Sequence, residues 1–157
     1  MLAITVGLPG SGKSTWAAKA QEAGWVDVII NPDKIREELT GDASDQSRNR
    51  DVWQLTYQRA EAWLQADCKV LIDATFLTPK ARKEPLALVE VPTAVWFNTP
   101  VDVCFERNLN RDRVVPEHAM ERMKAQWSQC RPATLLDEGY AVMNPQYLNV
   151  WSQLAQY

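Results

Sequence analysis

A chain of 157 residues that is 46% hydrophobic and 24% charged matches one globular domain of roughly 100–200 residues and excludes a disordered chain. Its longest apolar runs, residues 2–8 and 26–30, are far short of the ~20 residues a membrane helix needs, and a net charge of −3 is not the basic footprint of a protein that coats nucleic acid. Three widely spaced cysteines (Cys68, Cys104, Cys130) and one histidine, His118, argue against a disulfide framework and a His-rich metal site, so a reducing, cytoplasmic setting without a secretory leader is expected.

Residues 2–6 read as a strand buried on both faces, the signature of a parallel sheet. A glycine-rich turn over 7–13 precedes a helix over 14–23, which Gly24 stops. A second strand over 26–30 leads to a helix opened by Asn31-Pro32-Asp33 and closed by Gly41. Residues 41–49 are a polar loop. From about 50 to 66, Trp53, Tyr57, Ala60 and Leu64 mark one apolar face of a long helix. Its tryptophans read as core rather than as a stacking platform. A third strand over 69–72 ends at Asp73, and Thr78-Pro79 opens a basic helix carrying Lys80, Arg82 and Lys83.

A fourth strand over 93–97 is followed by Thr99-Pro100-Val101-Asp102, close to a capping box, and a helix carrying Phe105. Residues 108–116 are polar, arginine-rich and lid-like. Pro116 then starts a helix with Met120, Met123 and Trp127 on one face, a short fifth strand falls at 140–143, and a terminal helix at 147–156. Strands and helices alternate throughout. The expected class is a single α/β domain over 1–157, with a three-layer α/β/α build around a parallel sheet of about five strands.

The segment Gly7-Leu8-Pro9-Gly10-Ser11-Gly12-Lys13-Ser14 fits G-x-x-x-x-G-K-[ST] without a mismatch, a chance event on the order of 1% or less in a chain this long. Its strand–turn–helix context fits as well. Glycine turns free the main-chain N–H groups to face a triphosphate, and the following helix adds its partial positive charge. Lys13 would reach the β- and γ-phosphates, Ser14 would ligate Mg²⁺, and Thr15 lies near the α-phosphate. The motif implies ATP or GTP with Mg²⁺, bound through Gly7, Pro9, Gly10, Ser11, Gly12, Lys13, Ser14 and Thr15. It does not name the acceptor.

Ligands of open α/β sheets sit beyond the carboxyl ends of the strands. Polar residues there include Asp33 and Arg36 after the second strand, Asp73 and Thr75 after the third, and Arg107 and Arg111 after the fourth. Phosphoryl transfer needs a carboxylate for the acceptor's proton and cations for the equatorial oxygens. Asp33 is the preferred base, although Asn-Pro-Asp is good capping chemistry in any protein. Arg36, on its helix face, holds the acceptor's own phosphate or orients Asp33. Asp73 supports Mg²⁺ through water, or pairs with Arg36. Arg107 and Arg111 project from the lid onto the triphosphate, with Arg113 extending the run. His118 reads as a surface residue.

These residues, with Leu71-Ile72-Asp73-Ala74-Thr75 and Val114-Val115-Pro116, resemble the kinase domain of phage-type polynucleotide 5′-kinase over about residues 1–128. The pattern is shared in part with zeta-toxin-like, antibiotic and AAA-type small kinases. The resemblance implies an adenylate-kinase-like P-loop core, Asp33 as base toward a 5′-hydroxyl, Arg36 as a contact to the acceptor phosphate or to Asp33, and Asp73 as a supporting carboxylate. Lys13, Ser14, Arg107 and Arg111 would serve the triphosphate. No D-x-D-x-T motif is present, so 3′-phosphatase activity is not expected. Candidate phosphate contacts outside the P-loop are Arg48, Arg50, Lys80, Arg82 and Lys83. The competing readings are a small-molecule kinase of the same build and a slow NTP-hydrolysing switch.

Overall fold

β1 (Leu2–Val6) is buried along its whole length, as an unalternating apolar run must be when both faces of its sheet are covered. It leads into α1 (Lys13–Glu22), β2 (Val28–Ile30), α2 (Pro32–Thr40), α3 (Asn49–Gln65) and β3 (Val70–Ile72). Then come α4 (Lys83–Leu88), β4 (Thr93–Trp96), α5 (Val101–Leu109), α6 (Glu117–Trp127), α7 (Pro132–Glu138), β5 (Ala141–Met143) and α8 (Tyr147–Leu154). This computed structural model describes residues 1–154.

The five strands pair in parallel, in the order β2-β3-β1-β4-β5. Side chains alternate across the sheet. Leu2, Ile4 and Val6 face one core with Ile35 of α2, Val52 and Ala60 of α3, and Leu135 of α7. Ala3, Leu71 and Val95 face the other with Trp16, Ala17 and Ala20 of α1 and Leu148 of α8. Helices cover both faces, which gives the three-layer build. Because β3 lies on one side of β1 and β4 on the other, the strand order reverses beside the loop that follows β1, where a crevice opens.

Several elements depart from the sequence expectation. The helix expected from Thr78 becomes helical only at Lys83. Residues 78–82 instead turn back to put Arg82 inside the protein, 1% exposed. There its Nη1 donates to the Phe76 carbonyl at 2.8 Å, and Nε and Nη2 grip Glu138 at 2.6 and 2.7 Å. Phe76 sits at φ 44°, in the left-handed region, so the buried guanidinium fastens a carbonyl whose own backbone is strained. Burial pushes Arg82 toward neutrality, and Glu138, Cys130 and Tyr140 around it more than offset this. Arg82 is therefore an internal brace, not a phosphate contact.

α7 was not expected, since its seven residues are too few to show an apolar stripe. Pro132 at its start and Gly139 at φ 109° after its end are the signals that mark it. In α3 the period is as expected but the phase differs. Val52, Thr56 and Ala60 are fully buried, while Trp53 and Tyr57 lie half-buried beside them. Trp63, expected in the core, is 46% exposed. Of the terminal helix expected at 147–156, positions 155–156 lie outside the described residues.

Candidate active site at the C-terminal edge of the sheet

The loop after β1 is held from three sides. The Gly7 N–H donates to the Thr75 carbonyl at 3.1 Å, and Thr99 Oγ1 donates to the Ser11 carbonyl at 2.8 Å. From α5, Arg107 Nη1 donates to the Gly10 carbonyl at 3.3 Å. Gly10 sits at φ 82°, and a Cβ there would meet the Cys104 carbonyl of α5 at 2.6 Å. Glycine is required because α5 backbone occupies the space a side chain would fill.

Lys13 folds back over this loop, its Nζ donating to the Leu8 carbonyl at 2.7 Å. Burial pulls its pKa from 10.5 down to about 8; Asp73 opposes the fall and Arg111 adds to it. Ser11 Oγ is buried without a partner among the described residues, and the α1 N-terminus has no side-chain cap. A cationic ammonium, a bare hydroxyl and uncapped helix N–H groups fit an anionic phosphate chain.

Asp73, just beyond β3, is 6% exposed. Ser14 Oγ donates to its Oδ2 at 2.7 Å, and Thr5, buried within β1, reaches its Oδ1 at 3.3 Å. This hydroxyl–carboxylate pair offers hard oxygen atoms of the kind that would suit Mg²⁺, directly or through water. Among the described residues, no cluster of three His, Cys, Asp or Glu could hold a metal by itself. Of the two alternatives for Asp73, the geometry has it beside Ser14, while Arg36 turns elsewhere.

Asp33 lies in the first turn of α2, where Asn31 Oδ1 caps the helix by accepting from the Asp33 N–H at 2.9 Å. Asn31 does the capping, so the Asp33 carboxylate is left for the cleft. Its Oδ1 accepts from Arg36 Nη1 at 2.5 Å and its Oδ2 from Arg113 Nη2 at 2.7 Å. Arg36 is fixed from behind by Asn49, whose Oδ1 accepts from Nη2 at 2.8 Å.

One cleft of about 1490 Å³ joins these parts, more than the ~300–1,000 Å³ of a typical single-ligand pocket. Its walls include Pro9 to Thr15, Asp33, Arg36, Asp73, Thr75, Arg107 and Arg111, so all the proposed site residues beyond Gly7 line it. Gly7 lies behind it, where a Cβ would meet Ser11 Oγ at 2.8 Å. Arg48, Arg50, Lys80, Arg82 and Lys83, expected as outer phosphate contacts, are not among the lining. Lys19, Arg113 and Arg122 line it instead, with Trp53 of α3 and His118 of α6. Seven lysines and arginines and only two carboxylates line the cleft of a chain whose totals are 17 and 20. The positive field is a matter of placement rather than of net charge. No single-residue signal in the sequence marked Asn49, Lys19 or Arg122.

The family described as "AAA domain" matches residues 2–130. No curated protein matches the chain. Among solved structures, a chain of the Pnkp1/Rnl/Hen1 RNA repair complex superposes with TM-score 0.67 at 24% identity, over 82% of this chain and 44% of its own length. This chain thus spans less than half of that relative. A sugar kinase from Janibacter sp. HTCC2649 superposes with TM-score 0.65 at 17% identity, over 94% of this chain and 88% of its own. Shikimate kinase from Acinetobacter baumannii gives TM-score 0.60 at 16% identity, over 99% and 92%. The fold is that of the P-loop kinases.

Proposed function

The chain belongs to the AAA domain family, and on that premise we propose that it is an ATP- and Mg²⁺-dependent kinase that phosphorylates the 5′-hydroxyl of a DNA or RNA strand. It would act as a single kinase domain whose lid is the segment 108–116. The observation that carries this reading is Asp33 held on the same cleft as Lys13 and the glycine loop, within a lining of seven cations to two carboxylates. A nucleoside triphosphate uses part of that positive surplus, and an acceptor with its own phosphates uses the rest.

In the proposed reaction the acceptor oxygen attacks the γ-phosphorus in line, and its proton passes to Asp33. Lys13 would lie against the β- and γ-phosphates, with Arg107 from α5 and Arg111 from the lid over the developing charge. Ser14 and Asp73 would hold Mg²⁺ through hydroxyl and water-bridged carboxylate contacts. When bound, the ion draws charge from the phosphate oxygens. Arg36 keeps Asp33 in place from the buried side.

One observation favours a second reading. The chain aligns over nearly the full length of the sugar and shikimate kinases, so a small hydroxylated metabolite is the alternative acceptor. The test is transfer of labelled γ-phosphate to an oligonucleotide with a 5′-hydroxyl, with the 5′-phosphorylated strand, a hexose and shikimate in parallel. Label on the 5′-hydroxyl strand alone supports the proposal. Label only on a small molecule replaces it with the second reading.

A further inference from the structure

Asp33 is gripped at both carboxylate oxygens, but its two partners are not alike. The Arg36 side chain is 6% exposed and is tied into the protein by Asn49. The Arg113 side chain is 39% exposed and comes from the irregular stretch between α5 and α6. Its second bond also goes to a loop, since Nη1 donates to the Ala43 carbonyl at 2.5 Å. One guanidinium therefore stitches the lid to α2 and to the loop that follows it.

The base of that lid is fixed. Asn108, 3% exposed, donates from Nδ2 to the Val115 carbonyl at 2.8 Å and accepts at Oδ1 from the Val115 N–H at 3.0 Å. Residues 109–114 thus form a loop with pinned feet, and Arg113 is its contact with the opposite wall. Arg36 is the permanent partner of Asp33, and Arg113 the removable one.

Asp33 itself is 48% exposed, so water reaches it even with Arg113 in place. We infer that Arg113 is a latch that keeps Asp33 Oδ2 ion-paired, and so a weaker base toward water, until an acceptor hydroxyl takes its place on the carboxylate. The catalytic half of this inference rests on the kinase reading; the latch itself rests on the geometry alone. The reaction it guards against is hydrolysis. There a water oxygen would bond to the γ-phosphorus while the bond to the β–γ bridging oxygen breaks. The water's proton would pass to Asp33, and ADP would leave with the electron pair. With Arg113 on Oδ2 and the lid stitched across to Ala43, water beside the γ-phosphate finds the base engaged. An acceptor that wedges the lid away frees Oδ2 at the place its hydroxyl needs. Arg113 is on this account a specificity-determining residue that separates transfer from hydrolysis.

Two measurements test it. In the nucleotide-free protein, trypsin cleavage after Arg111 or Arg113, followed by fragment mass, should run about fivefold faster in Asp33→Ala than in wild type, the change in open population when one partly exposed ion pair is lost. An unchanged rate, with thermal unfolding showing both proteins folded, overturns the latch. In Arg113→Met, ATP hydrolysis without acceptor should rise about tenfold, a fraction of the ~10²–10⁴ a positioned base contributes. Arg113→Lys, which keeps a donor cation, should return it toward wild type. Unchanged hydrolysis overturns the inference; hydrolysis that falls together with transfer overturns it and makes Arg113 a substrate contact. Failure of the wild-type protein to phosphorylate any acceptor would sink the kinase reading, while the trypsin comparison would still decide the latch.

Discussion

Lys13 should make nucleotide binding depend on pH in a range where most lysines are silent. Its ammonium is buried over the glycine loop, and burial brings its pKa from 10.5 to about 8, a cost to the charged form of about 3 kcal/mol. Below pH 8 the ammonium is charged in folded and unfolded chains alike, so the folded protein carries the whole cost. Between pH 8 and 10.5 only the unfolded chain keeps the proton. The stability of the nucleotide-free protein should therefore rise across that window, by up to about 3 kcal/mol. Binding runs the other way. A triphosphate against Nζ favours the charged form, so above pH 8 each binding event must take up a proton. At pH 9, one unit above the free pKa, affinity should be about tenfold weaker than at pH 7. A phosphate's second ionisation, near pH 6, is complete by then, so the linkage belongs to the protein.

The assay is calorimetry with a non-hydrolysable ATP analogue and Mg²⁺ at pH 7, 8 and 9, in buffers of different ionisation enthalpy that reveal proton uptake. Uptake should be near zero at pH 7 and approach one proton at pH 9. Lys13→Met should bind weakly with no pH dependence, and Lys13→Arg, whose cation does not titrate here, should lose the linkage whatever its affinity. Equal wild-type affinity at pH 7 and 9, with no proton taken up, would refute the reasoning.

Other predictions concern the base, the turn and the brace. Asp33→Asn should keep ATP affinity near wild type and lower transfer by roughly 10²–10⁴; wild-type transfer in single-turnover assays removes Asp33 as the base. Gly10→Ala and Gly12→Ala separate space from strain, because Gly10 faces the Cys104 carbonyl at 2.6 Å whereas nothing lies within 4 Å of the Cβ position of Gly12 at φ 95°. Gly12→Ala should cost about 1–2 kcal/mol of backbone strain, and Gly10→Ala clearly more, with nucleotide binding lost; the reverse order in chemical denaturation refutes the close-approach argument. Arg82→Met strands Glu138 and the Phe76 carbonyl, and should cost about 3 kcal/mol, or on the order of 10 °C in thermal unfolding. A loss under 1 kcal/mol would show that the brace is dispensable.

Local chemistry was legible wherever one short segment carries it. The glycine loop, the Asn31-Pro32 helix start and the unalternating β1 each announce themselves, because spacing and residue type there decide the backbone without help from distant parts. The parallel sheet follows from the strand–helix alternation. What the sequence hid depends on pairing over long separations. Arg82 reads as one more cation in a basic stretch until the chain brings Glu138, 56 positions on, to its guanidinium. Arg113 reads as the end of an arginine run, yet its partner Asp33 is 80 positions away. Charge on a side chain is visible in a sequence, but its partner is not.

The same limit explains why an acidic chain can carry a cationic cleft. The 20 acidic residues sit mostly outside the cleft, and some hold cations elsewhere: Glu38 on Arg59, Asp51 on Arg48, Glu138 on Arg82. Screening at about 8–10 Å in physiological salt confines the two surface pairs to their own neighbourhood, and the Glu138–Arg82 pair is buried away from the cleft lining. A phosphate entering between α2 and the lid meets Lys13, Arg36, Arg107, Arg111 and Arg113, not the net charge. If that field recruits an oligonucleotide acceptor, its KM should climb steeply between ~50 and ~200 mM salt, since each phosphate contact releases counterions. A KM indifferent to salt, with ATP saturating, would mean that the oligonucleotide's phosphates make no contact with the cleft's cations, and would count against a nucleic-acid acceptor.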